Sequence, residues 1–161
     1  MTDNRHSVSV AAVVTNDQGQ VLVIQRRDNG AWQLPGGVLE LDERIEDGLR
    51  REVEEETGIK VEPIRLTGVY KNITLGVVAL VFRARQVGGE PHPTPEAPCV
   101  AWWTPSQVSF DMTEAFAIRI LDALDLQATP AIRTHDGVQL LDPKTDNLRT
   151  SVHDDIPFSN P

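Results

Sequence analysis

The chain has 161 residues, a formal net charge of −9 and one cysteine, so it suits a single domain with one proper core and cannot form an internal disulfide. The acidic charge argues against binding to a nucleic acid duplex, because sequence-independent contacts with the phosphate backbone require a basic surface. No apolar run approaches the length of a membrane span, and residues 1–7 lack the hydrophobic centre of a signal peptide, so we expect a cytoplasmic protein without a membrane partner.

The first elements of the chain are predicted to be two strands and a glycine-rich loop. Val8–Val14 is rich in β-branched residues, Val21–Arg26 is mostly apolar, and Asn16–Gly19 supplies turn residues between them, which predicts a hairpin. The following segment, Asp28–Gly37, contains Pro35 and two consecutive glycines. We expect it to be a loop that can bring backbone carbonyls close to a bound ion.

A helix is predicted from Arg44 to Thr57. This segment lacks proline, is rich in Glu, Arg and Leu, and is followed by Gly58, which is a common stop residue. At about 100° per residue, its apolar stripe contains Ile45, Leu49 and Val53. The stripe predicts that one face of the helix packs on the core.

Three glutamates lie near the end of this helix in positions that solvation does not explain. Glu56 projects inside the apolar sector, Glu52 lies at its edge and Glu55 lies to the side, whereas Glu54 is on the far face where solvated charges belong. Carboxylates that converge at the margin of a core repel one another and are costly to desolvate unless a cation joins them. A hard divalent cation with oxygen ligands, Mg²⁺ or Mn²⁺, would satisfy them.

The next elements are predicted to complete a sheet and its second covering layer. Val61–Tyr70 and Ile73–Arg85 are predicted strands, and the second is mostly apolar and therefore central. Gln86–Pro98 is a predicted surface loop, Val100–Trp103 a further strand, and Met112–Leu124 a helix with apolar residues at helical spacing. Together these elements predict an α/β (α+β) fold, a three-layer α/β/α sandwich with a mixed β-sheet.

The chain is predicted to divide into a domain at residues 1–125 and an extension at residues 126–161. Ala131–Arg133 and Val138–Leu141 flank a turn sequence and predict a small hairpin, and Asp142–Pro161 is a polar tail. A frayed tail is one interpretation. The other is an arm docked on the domain or on a partner subunit, which would be compatible with a homodimer.

The stretch Gly37–Ile59 resembles the signature box of the Nudix hydrolases. That box is a glycine, five residues, a glutamate, seven residues, and then Arg-Glu-aliphatic-x-Glu-Glu-x-Gly-aliphatic. Every fixed position matches, at Gly37, Glu43, Arg51, Glu52, Val53, Glu55, Glu56, Gly58 and Ile59. The preceding Trp32–Gly37 resembles the lead-in of the same family. The resemblance implies the same three-layer fold, with residues 1–125 as the Nudix domain.

The resemblance also implies roles for the residues of the box. It assigns metal binding to Glu52, Glu55 and Glu56, with the backbone carbonyl of Gly36 as a further ligand and Mg²⁺ or Mn²⁺ as the cofactor. It assigns structural support of the site to Gly37, Glu43 and Arg51. Glu43 and Arg51 would pair to brace the loop against the helix.

The general base is left open between the box and a distal loop. In the family this role belongs either to the box, where Glu52 is the candidate, or to an acid in a distal loop. Here Glu96 and Glu90 are available, and Glu96 precedes the strand Val100–Trp103, near whose end a site residue could lie. Each is otherwise an ordinary solvated loop acid.

Candidate substrate-binding residues lie just before the box. Arg26 and Arg27 end a strand and could bind a terminal phosphate, although cationic side chains at strand ends commonly serve only solvation. Trp32 could stack on a base or could belong to the packing of its loop.

We therefore expect a divalent-metal-dependent hydrolase that cleaves the pyrophosphate linkage of a nucleoside diphosphate linked to another moiety. Its partner would be a small nucleotide or nucleoside diphosphate derivative. The alternative is a non-catalytic Nudix-fold module that senses nucleotide metabolites. Such modules typically have damaged boxes, and the intact box favours the enzyme.

Overall fold

A computed structural model describes residues 3–126 and 129–141, and in these residues the chain forms two β-sheets and three helices. The strands are β1 Ser7–Val14, β2 Val21–Gln25, β3 Trp32–Gln33, β4 Gly36–Val38, β5 Ile59–Asn72, β6 Val77–Gly89, β7 Cys99–Trp103 and β8 Ala131–His135. The helices are α1 Ile45–Thr57, α2 Pro105–Asp111 and α3 Glu114–Leu124. Among these helices, none combines the length and apolarity needed to cross a membrane.

The larger sheet is mixed, as the sequence predicts. Its strand order is β4-β1-β6-β5-β8, with β1 parallel to β6, β5 parallel to β8, and the other neighbours antiparallel. The smaller sheet has the order β3-β2-β7 and is antiparallel. The two sheets and their covering helices give the predicted α+β architecture.

The core has two parts because β1 is buried on both faces. Val10, Ala12 and Val14 point to one side, where they pack with Leu49 and Val53 of α1. The alternate residues point to the other side, as the period of two in a strand requires. There Ala11 and Val13 pack in one cluster with the following residues of α2 and α3: Val108, Ala117 and Ile120.

The predicted hairpin between the first two strands is wrong. The turn does form, because the side-chain oxygen of Asn16 accepts the backbone N–H groups of Gln18 and Gln20 at 3.0 Å. Beyond one bridge between Thr15 and Val21, however, β1 and β2 enter different sheets. Both edges of β1 are already occupied by β4 and β6.

Three predicted boundaries also differ from the structure. The loop Asp28–Gly37 contains the short strands β3 and β4, and β6 extends to Gly89, inside the predicted loop Gln86–Pro98. The strand predicted from Ile73 begins only at Val77, because Asn72 caps an intervening turn by accepting two backbone N–H groups.

The helix predicted from Met112 to Leu124 is preceded by α2, which the hydrophobic pattern did not indicate. The side chains and backbones of Thr104 and Gln107 form a capping box, and Pro105 occupies the first turn of α2. This combination is a helix-start signature that is visible in the sequence.

Strand β8 brings the start of the predicted C-terminal extension onto the larger sheet. It lies parallel to β5, with Gly68 opposite Ala131 and Asn72 opposite His135. The chain then turns back, and the backbone N–H of Leu141 donates to the carbonyl of Thr134 at 2.9 Å. The predicted tail Asp142–Pro161 lies outside the described residues.

Candidate active site

Glu56, in the last turn of α1, is the buried acid of the site. It is 9% exposed and its carboxylate accepts the backbone N–H of Gly36 at 2.9 Å. Burial raises the pKa of Glu56 to about 7, and the charges of Glu52 and Glu96 add to this, whereas the Gly36 hydrogen bond and Arg26 oppose it. The site therefore contains a carboxylate whose negative charge the protein only partly compensates.

Glu52 lies one turn earlier on the same side of α1. Burial raises its pKa, while a hydrogen bond from Arg51 to its carboxylate, 2.9 Å long, opposes the shift. Gly37 makes room for this carboxylate, since a Cβ atom at Gly37 would lie 2.4 Å from it. The glycine is thus required by the close approach of β4 to the helix.

Glu43 and Arg51 form a two-pronged ion pair between the loop and α1. The Nε and Nη2 atoms of Arg51 donate to the two carboxylate oxygens of Glu43 at 2.9 and 2.6 Å. Glu43 also accepts the backbone N–H of Glu40, and the Arg51 guanidinium, together with this contact, lowers the pKa of Glu43 to about 2. The pair joins the two sides of the loop that precedes the helix.

Glu55 lies at the solvent-exposed rim of the candidate site. Its side chain is 53% exposed, and Arg51 donates to it at 3.3 Å. The same guanidinium group therefore contacts Glu43 and two of the predicted metal ligands, Glu52 and Glu55.

A cleft of about 570 Å³ opens beside these acids. The predicted site residues that line it are Gly36, Gly37, Glu52, Glu56, Glu96, Arg26 and Arg27. Glu96 is exposed and lies close enough to raise the pKa of both Glu52 and Glu56. Arg26 is paired with Asp28 at the mouth.

The cleft lining lacks five residues that the sequence analysis named for the site: Trp32, Glu43, Arg51, Glu55 and Glu90. Trp32 packs on Trp103, with ring centroids 4.8 Å apart, and its neighbour Gln33 faces the cleft instead.

Arg119, Asn72 and Phe116 line the cleft and were missed by the sequence analysis. The available signal was Arg119 itself, a cation among the apolar neighbours Ile118 and Ile120 of α3. Nothing in the sequence indicates that α3 and the end of β5 meet at the same cleft as the box.

The donor chemistry fits a cation that prefers oxygen. Glu52 and Glu56 are carboxylates with raised pKa values, and Gly36, at the start of β4, lies beside Glu56. Within residues 3–126 and 129–141, no three acid, histidine or cysteine side chains are gathered as a metal-ligand cluster. This agrees with the pairing of Glu52 and Glu55 to Arg51.

Comparisons with known proteins agree with the fold and the box. The family model described as the NUDIX domain matches residues 5–124. A MutT-like protein of Streptomyces ambofaciens is 58% identical over 136 residues, which are 84% of this chain and 88% of that protein. The 8-oxo-dGDP phosphatase NUDT18 of Mus musculus is 41% identical over 83 residues, which are 50% of this chain and only 25% of that protein.

A solved structure extends the agreement to three dimensions. The crystal structure of a MutT protein from Methanosarcina mazei Go1 has a TM-score of 0.67 and 28% identity, and the match covers 75% of this chain and 94% of that one. The fold and the intact box define an enzyme of the pyrophosphohydrolase class. The chain belongs to the Nudix family, which confirms the resemblance carried by Gly37–Ile59.

Proposed function

We propose that this protein is a divalent-metal-dependent hydrolase that cleaves the pyrophosphate linkage of a nucleoside diphosphate linked to another moiety. The observation that carries the proposal is the uncompensated charge of Glu56, which is buried beside Glu52 and Glu96. The cleft volume of about 570 Å³ is in the range of small-molecule sites.

The metal-binding residues of the proposal are Glu52, Glu55, Glu56 and the carbonyl of Gly36. Mg²⁺ or Mn²⁺ bound there would neutralise phosphate oxygens and favour attack by water. Arg51 already holds Glu52 and Glu55 side by side at 2.9 and 3.3 Å, so it competes with the metal for both carboxylates. Its pairing with Glu43 keeps the guanidinium in place when those contacts loosen.

Glu96 is the proposed general base. Its carboxylate lines the cleft and has no hydrogen-bond or ion-pair partner among the described residues. The carboxylate of Glu52, by contrast, forms an ion pair with Arg51. A base needs a carboxylate that can reach the proton of the attacking water. Glu52 is the second candidate for this role.

Arg26 and Arg27 are the proposed phosphate-binding residues, because both line the cleft near the acids. Arg26 is close enough to lower the pKa of Glu56. Trp32 supports the wall of the cleft through its packing on Trp103. The similarity to an 8-oxo-dGDP phosphatase supports nucleoside diphosphates as substrates.

The test is product release from nucleoside diphosphates, nucleoside triphosphates, nucleotide sugars, ADP-ribose and dinucleoside polyphosphates with Mg²⁺ or Mn²⁺. Wild type is compared with Glu56→Gln and with the matched control Glu54→Gln, an exposed acid whose nearest cation, Lys60, is 3.9 Å away. We expect Glu56→Gln to lower turnover by orders of magnitude and Glu54→Gln to retain it.

Two outcomes would contradict the proposal. One is unchanged turnover in a folded Glu56→Gln variant, which would contradict the assignment of Glu56 as a metal ligand. The other is tight binding of one compound by wild type with no turnover of any, which would favour the non-catalytic sensor.

A further inference from the structure

Arg119 lies on α3 in the wall of the same cleft, and neighbouring rings fix its guanidinium group. The guanidinium carbon lies 4.9 Å from the ring centroid of Phe116 and 5.4 Å from that of Tyr70. Its Nη2 atom lies 3.2 Å from Nε2 of His135. A guanidinium held in this way is a preorganised planar donor.

The charge of Arg119 has no acidic partner among the described residues. Asp122, one turn further along α3, accepts two hydrogen bonds from Arg133 and one from Tyr70, all 2.7 Å long. The Nε atom of Arg119 is buried without a hydrogen bond. Burial lowers the pKa of Arg119 to about 10, so the group stays charged at neutral pH.

Asn72, at the end of β5, contributes a second donor at this end of the cleft. Its side-chain oxygen accepts the backbone N–H groups of Thr74 and Leu75 at 3.0 and 3.1 Å, so its amide NH₂ remains to donate. Leu75 and Val77 add apolar surface to the cleft wall. The combination suits a flat, apolar group whose edge carries only acceptors.

The part of the cleft lined by Arg119, Asn72 and Phe116, which we call the Arg119 end, carries a charge that the acids of the cleft do not neutralise. Arg26 is near enough to shift the pKa of Glu56, whereas no carboxylate shifts the pKa of Arg119. The acids and Arg119 line the same cleft, so a nucleotide whose phosphates bind at the acids has room to place its base near Arg119.

We propose that Arg119 and Asn72 are specificity-determining residues that bind the acceptor edge of an oxopurine base. The O6 and N7 atoms of guanine both accept hydrogen bonds, whereas adenine presents an amino donor in place of O6. Adenine would therefore leave one donor of the cleft unsatisfied. This inference rests on the proposed function, because it requires a nucleotide in the cleft.

The experiment measures binding of GDP and ADP to metal-free protein by titration calorimetry, so its outcome does not depend on hydrolysis. Wild type should bind GDP about tenfold more tightly than ADP, and Arg119→Gln should abolish this preference mainly by weakening GDP. Arg50→Gln is the control, because it removes an exposed arginine of α1 that pairs with Asp47 and Glu62 and does not line the cleft. It should retain the preference.

Asn72→Asp is a second variant that preserves the turn cap while replacing the amide donor by an acceptor. It should lower the ratio of GDP to ADP affinity. Equal binding of both nucleotides by wild type, no binding of GDP at millimolar concentration, or an equal loss for both in Arg119→Gln would overturn the inference. The last result would mean that Arg119 binds a phosphate. Loss of hydrolysis with the GDP preference intact would contradict only the proposed function.

Discussion

At one end of the cleft, Glu52, Glu56 and Glu96 crowd negative charge together, and burial raises the pKa of Glu56 to about 7. At the other end, Arg119 holds a positive charge that no described acid neutralises. The two ends therefore lack opposite partners. Since uncompensated charge is costly in a folded protein, each end supports the ligand group that we propose for it: a cation at the acids and an acceptor at Arg119.

The largest effect expected from a single change at the acidic end, beyond loss of Glu56, is that of Glu96→Gln. A positioned general base contributes about 10²–10⁴-fold to a rate, so turnover should fall by that order and the acidic limb of its pH profile should change. Metal binding should change little. Steady-state kinetics across pH, with metal binding measured separately, check this, and normal kinetics would return the role to Glu52.

The uncompensated charge of Glu56 should also make the metal-free protein sensitive to pH. Its pKa is raised from 4.5 to about 7 on folding, so its contribution to stability is greatest below 4.5 and is lost as pH rises to about 7. As pH rises from 4.5 to about 7, the free energy of unfolding of Glu56→Gln should increase relative to that of wild type by up to about 3 kcal/mol. Denaturant unfolding at both ends of this pH range measures this increase, and a constant difference would contradict it.

Gly37→Ala tests whether the acids must keep their positions. The new Cβ atom would meet the Glu52 carboxylate at 2.4 Å, so Glu52 must move. Misplacement of a catalytic group can cost about 100-fold in rate. Gly88→Ala is the control, because its nearest neighbours are 3.8 Å away, and its turnover should match wild type. Equal turnover in the two variants would show that Glu52 tolerates displacement.

The smallest effect is expected beneath the Arg119 end, for Tyr70→Phe. This change removes the 2.7 Å hydrogen bond from Tyr70 to Asp122 but keeps the ring under Arg119. The free energy of unfolding should fall by about 1 kcal/mol, and the preference for GDP over ADP should remain. Loss of that preference would mean that the hydroxyl, rather than the ring, positions Arg119.

The same contrast explains how far the sequence could be interpreted. The position of Glu52 and Glu56 beside one cleft was predictable because both lie on one helix, whose periodicity fixes their directions, and because the box has many fixed positions. The Arg119 end was not predictable from the sequence, because Asn72, Arg119 and His135 belong to β5, α3 and β8 and come together only in the folded chain.

The errors in the fold have a similar origin. The Asn16–Gly19 turn is a correct local signal, but local signals do not determine which sheet each strand joins. By contrast, α2 was predictable from its capping box at Thr104 and Gln107, a signal that apolar periodicity alone overlooks.

Binding of Mn²⁺ to the metal-free protein, followed by electron paramagnetic resonance, measures whether the acids at this end of the cleft hold a cation. If the uncompensated carboxylates form the cation site, wild type and Glu54→Gln should bind Mn²⁺ equally, and Glu56→Gln should bind it at least about tenfold more weakly. Equal Mn²⁺ affinity in wild type and Glu56→Gln would contradict the account.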